Sequence, residues 1–137
     1  MPFKFEIAQG KKVCHFEADV ESLIGRKLGE NIDGKDIASQ FNGYEFQITG
    51  ASDKSGFPAL ADRDHIGVKR LLLKKGKGMR NKYRGLRIKK SIHGNMIDEN
   101  IVQINLKVIK AAEKSIASIL GKDTPAKGEI EQAPAAQ

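Results

Sequence analysis

The stretch KRLLLKKGKGMRNKYRGLRIKK, residues 69–90, concentrates the chain's capacity for binding chemistry. Eleven of its twenty-two residues are Lys or Arg, and none is Asp or Glu. Cations at such density repel one another and attract a polyanion, either nucleic acid or an acidic membrane surface. Tyr83 stands between Lys82 and Arg84, which places an aromatic face able to stack on an unpaired base beside two phosphate-seeking charges. A solvated or disordered segment is the simpler account of like charge by itself. The flanks favour binding: the run begins in the strand-like 69–73 and ends in the strand-like 86–92, so a scaffold presents it. Between them, KKGKGMRNKYRG carries Gly76, Gly78 and Gly85, which permit close backbone approach and predict a mobile loop that orders on its partner. The expected binding residues are Lys69, Arg70, Lys74, Lys75, Lys77, Arg80, Lys82, Tyr83, Arg84, Arg87, Lys89 and Lys90.

Other constellations offer weaker chemistry. In ITGASDKSGFPA, residues 48–59, Gly50 and Gly56 suit positive-φ positions, Asp53 and Ser55 suit side-chain-to-backbone turn bonds, and Pro58 stiffens the exit. This reads as a structural turn, on which Lys54 is placed to hold a phosphate. ADRDHIG brings Asp62, Asp64 and His65 together as an acid–base group; a metal-dependent nuclease is the alternative it raises. Arg63 among the carboxylates accounts for the cluster equally well by local pairing. Gly76-Lys77-Gly78 is not a dinucleotide fingerprint, because Asn81 occupies the third glycine's place, and Gly121-Lys122 precedes Asp123 rather than Ser or Thr. His15, His65 and His93 are far apart, and Cys14 is the single cysteine, so no zinc spacing exists. His15, in a strand, is expected to be packed. The expectation is a protein without enzymatic activity, metal, cofactor or small-molecule substrate.

The elements that must carry these residues are short. FKFEIA (3–8) and VCHFEA (13–18) flank the turn-like QGKK and predict a hairpin. Asp19 is placed to cap a short helix through Val20, Leu23, Ile24 and Leu28, ended by Gly29, and a second short helix is expected from Ile37 to Phe41. GYEFQITG (43–50) alternates with Tyr44, Phe46 and Ile48 on one face. VKRLLL (68–73) ends in an apolar run suited to a buried strand, which predicts Leu72 in the core. Residues 86–93 alternate more loosely, and IVQINLKVI (101–109) alternates through Val102, Ile104, Leu106 and Val108. Short strands with glycine-bearing turns predict a mainly β fold, a small antiparallel barrel with one or two short helices. The expected division is a β domain over residues 1–112 and, over 113–137, a short helix followed by a flexible tail rich in Pro, Ala, Gln and charge.

Composition narrows the setting. The chain has 137 residues, one domain's length, and a formal charge of +7. Setting aside the eleven bases of residues 69–90 leaves 13 bases against 17 acids, so the basicity is local. No apolar run nears the ~20 residues that span a bilayer, and the N-terminal residues lack a signal peptide's apolar core. A cytoplasmic protein is expected.

The ordered motifs Gly50…Asp53-Lys54…Gly56-Phe57-Pro58, Arg70-Leu71-Leu72-Leu73 and Ser91…Gly94…Ile97-Asp98 resemble those of the archaeal and eukaryotic small-subunit ribosomal protein S-six, over roughly Phe3 to Glu113. Two positions depart from it: the family usually has glycine where Ala51 stands and methionine where Ala59 stands. The short length is similar to archaeal members. The resemblance implies a structural constituent of the small ribosomal subunit that binds ribosomal RNA, with neighbouring ribosomal proteins as further partners and no membrane contact. A free-standing RNA-binding module is the alternative that uses the same basic loop.

Overall fold

The computed structural model describes residues 2–76, 79–80 and 83–120. Seven strands dominate: β1 (Phe3–Gln9), β2 (Lys12–Ala18), β3 (Asn31–Asp33), β4 (Glu45–Asp53), β5 (Val68–Leu73), β6 (Ile88–His93) and β7 (Ile101–Lys110). Two short helices, α1 (Gly34–Ile37) and α2 (Ile116–Leu120), complete it with 3-10 turns at Glu21–Leu23 and Ser39–Phe41. The mainly β architecture with short helices is as the patterning predicts. Residues 121–137, the expected flexible tail, lie outside the described residues.

The barrel is a correction. Five strands form one sheet in the order β2-β1-β7-β4-β3, which ends on β2 and β3 instead of closing, and β5 pairs with β6 in a separate ribbon. Nor is the sheet wholly antiparallel, since β1 runs parallel to β7, with Phe5 opposite Ile104 and Ile7 opposite Leu106. That pairing matches buried residue to buried residue across the centre of the sheet and leaves β2 at the edge. α2 packs beside β2, and its Ile116 enters the main core.

Alternation built the core where it was regular. Phe3, Phe5 and Ile7 of β1, Phe46 and Ile48 of β4 and Ile104 and Leu106 of β7 are buried with Phe41 and Tyr44. Tyr44 and Phe46 stack at 5.7 Å, and Phe41 meets both edge-on, the geometries that ring quadrupoles favour. At the start of β7, Ile101 is buried and Val102 is not. Register slips there, Ser52 opposing Gln103 and Asp53 opposing Ile101, so a bulge turns Val102 off the face its alternation predicts.

The helix expected after Asp19 is a single 3-10 turn at Glu21–Leu23. Longer-range bonds prevail over local propensity: the Gly25 N–H donates to the Ile97 carbonyl and the Leu28 N–H to the Asn95 carbonyl, each at 2.9 Å. Val20, Leu23 and Leu28 are still buried, but on an extended path. The expected Ile37–Phe41 helix is likewise two pieces, α1 ending at Ile37 and a 3-10 turn from Ser39.

Candidate nucleic-acid interface

The basic stretch is built on the ribbon of β5 and β6, which pair from Val68 opposite His93 at the base to Leu73 opposite Ile88 at the far end. Side chains alternate across a strand. Lys69, Leu71 and Leu73 therefore share one face with Ile92, Lys90 and Ile88, while Val68, Arg70 and Leu72 share the other with His93, Ser91 and Lys89. Bases thus stand on both faces. Leu73 and Ile92 close a small second core with Leu60 and Met79. Leu72 is 55% exposed, which corrects its expected core position: the ribbon has a core on one face only, and Leu72 points from the other.

Lys69, Arg70, Lys74, Lys75, Arg80, Tyr83, Arg84, Arg87, Lys89 and Lys90 are all exposed. Lys77 and Lys82 lie outside the described residues, as does Gly78. Carboxylates engage Arg26, Lys27 and Lys110 elsewhere in the protein. Among the described residues, none engages a base of the 69–90 stretch. On β5 and β6 these charges stand on a backbone held by a hydrogen-bonded ladder. One described residue of the loop is seated on the scaffold. Met79 is 2% exposed and packs with Leu60, Leu73 and Ile92, and within the loop it exchanges N–H···O bonds of 3.2 and 3.1 Å with Gly76. A lone methionine among cations and glycines carries no periodic signal of burial.

The ribbon's base is fixed to the main sheet through Pro58–Leu60. The Ala59 N–H donates to the Ala51 carbonyl at 2.9 Å, the His93 N–H to Pro58 at 2.9 Å and the Leu60 N–H to His93 at 3.1 Å. Pro58 opposes Ser52 across an isolated antiparallel bridge at a site where the ladder asks for no donor, so its missing N–H costs nothing. Asp53 Oδ1 accepts from the Ser55 and Phe57 N–H groups at 2.7 and 3.1 Å, and Gly56 closes the turn at φ 88°. Gly50, in contrast, does not take positive φ: it lies within β4, beside the register shift after Ile48. Lys54 is exposed on this turn, and its N–H donates to the Asn100 carbonyl.

Of the acid–base group, Asp64 is paired, and with Lys27 instead of the neighbouring Arg63. Lys27 Nζ lies 3.2 Å from Asp64 Oδ1, and this hydrogen bond, with the Lys27 charge, holds the Asp64 carboxyl below the usual aspartate range. The segment 61–67 is laid against Gly94 so closely that a Cβ there would fall 1.7 Å from the His65 carbonyl oxygen; only glycine fits. Among the described residues, no three His, Cys, Asp or Glu side chains are grouped to hold a metal ion. His15 is exposed, paired with Glu6 at 3.7 Å, because β2 turns it away from the core. The buried histidine is His93, whose ring nitrogens face the Gly94 carbonyl at 3.2 Å and the Asp98 carboxylate at 3.2 Å.

Comparison with known proteins identifies the family. The sequence resembles the small ribosomal subunit protein eS6 of Methanocaldococcus jannaschii, 42% identical over 86% of this chain and 90% of the relative. It resembles also the proteins of that name from Methanosphaerula palustris, 42% identical over 86% and 92%, and from Methanothermobacter thermautotrophicus, 37% identical over 90% and 98%. The family described as Ribosomal protein S6e matches residues 3–121, and the chain belongs to that family.

Proposed function

We propose that this protein is a structural constituent of the small ribosomal subunit, in the cytoplasm, and that it holds ribosomal RNA through the basic ribbon and loop of residues 69–90, with Lys54 a further phosphate contact and neighbouring ribosomal proteins on its remaining surface. The observation that carries the reading is the set of exposed bases on β5, β6 and their loop that no carboxylate among the described residues engages, while Arg26, Lys27 and Lys110 are so engaged. Phosphates supply the missing counter-charge, and Tyr83, 71% exposed, supplies a stacking face. The relatives' name, small ribosomal subunit protein, supports the assembly. Asp53, Gly56 and Pro58 shape the turn that seats the ribbon and need not touch RNA.

The test replaces Lys74, Lys75, Lys77, Arg80, Lys82 and Arg84 together with Gln. The parent co-sediments stably with small subunits, whereas a free-standing RNA-binding module would not. The variant keeps its thermal midpoint, since only cationic loop positions change, and binds ribosomal RNA more weakly by several kcal/mol. Unfolding of the variant, or binding as tight as the parent's, would refute the assignment of these bases.

A further inference from the structure

Folding creates a cleft that the charge run does not by itself contain. It opens between the 60–63 segment and the far end of the ribbon, with a volume of about 390 Å³. Arg63 joins Lys74, Lys75 and Arg87 around it, a fourth cation brought in from outside the basic stretch. The Arg63 backbone is fixed: its carbonyl accepts from the His65 and Asn95 N–H groups at 3.1 and 2.9 Å, and its own N–H donates to Leu60. The exposed Leu72 gives an apolar wall. Asp62 is the one carboxylate on the lining, and among the described residues no ion pair engages it.

We propose that this cleft takes a single unstacked nucleotide of the bound RNA, with a preference for guanine; the proposal rests on the RNA-binding reading above. Four cations around the opening suit the nucleotide's phosphates, the arginines by their forked geometry. Leu72 and the side-chain stems of the lysines offer apolar surface to a base plane. A carboxylate only accepts hydrogen bonds, so Asp62 favours bases whose edge donates. Guanine presents two adjacent donors, N1–H and N2–H, on its Watson–Crick edge; cytosine and adenine present one amino group, and uracil offers a single imide N–H flanked by carbonyls that a carboxylate repels. Recognition of RNA sequence generally reads such splayed-out bases. Leu72 and Asp62 are both exposed, so substituting either tests binding without disturbing the core.

The experiment compares the full chain on one RNA hairpin that is fully paired and on four copies with a single bulged G, A, C or U, at fixed salt. Bulged G should bind on the order of tenfold or more tighter than the paired hairpin, with bulged U the weakest of the four. Asp62→Ala should erase the G-over-U difference while paired RNA binds as before, and Leu72→Ser should reduce the gain from every bulge. Equal binding of all five RNAs overturns the cleft and leaves the basic ribbon's role intact. Retention of the G preference by Asp62→Ala overturns the role of Asp62. Failure to bind any of the RNAs overturns the RNA reading itself, and the cleft with it.

Discussion

Three consecutive leucines have three different environments in this protein: Leu71 is half-buried, Leu72 is 55% exposed and Leu73 is 6% exposed. Their side chains are identical, so the difference is one of placement on a ribbon whose core lies on one face. Ile92, fully buried opposite Lys69, belongs to that core. Ile92→Ala should therefore cost about 2–5 kcal/mol of stability in urea unfolding, and Leu72→Ala less than about 0.5 kcal/mol, as at other exposed sites. The reverse order would mean that the ribbon's faces are misassigned. Patterning points the other way for Leu72, because an apolar run in a strand signals burial without saying that one residue of the run must turn outward.

At the scale of elements, the ribbon works because it is held at both ends. Met79 holds the loop end against Leu60, Leu73 and Ile92. Met79→Ala should cost about 2–5 kcal/mol, and backbone order parameters at residues 79 and 80 should fall from the ~0.85 of rigid backbone to below ~0.6. If they are already that low in the parent, the loop is not anchored there. At the base, Ala51 and Ala59 are both buried and, by the register that pairs Ser52 with Pro58, stand directly opposite each other. These are the two positions where the resembling family usually has glycine and methionine, a shift of volume from one strand to its neighbour. Ala59→Met should cost about 1–3 kcal/mol by overpacking, and adding Ala51→Gly should recover part of that loss. A double-mutant cycle with no coupling would show that the two sites do not share space.

For the whole molecule, the positive charge is concentrated in one stretch. Residues 69–90 hold eleven bases and no acids, while the remainder holds 13 bases against 17 acids, so attraction to a polyanion is directed at that stretch. With some six to ten bases on phosphates, counterion release predicts a loss of affinity on the order of a thousandfold between ~50 and ~200 mM salt. A titration of RNA binding against salt checks this, and a nearly flat dependence would show that these bases do not make the contacts.

The sequence by itself determined the mainly β class, the strands with regular alternation, the family and the location of the positive charge. Each of these depends on residue types or on a period of two, which neighbours along the chain are enough to express. Tertiary structure decided the parallel pairing of β1 with β7, the open edge at β2, the inward Met79 and His93 and the outward Leu72. It also brought Arg63 and Asp62 to the basic ribbon. Alternation defines two faces but not which of them meets a core, and pairing partners are chosen by contacts between residues far apart in the chain. The helix that local spacing predicts after Asp19 was lost for the same reason: backbone bonds to Asn95 and Ile97 replace those that a helix would make within itself.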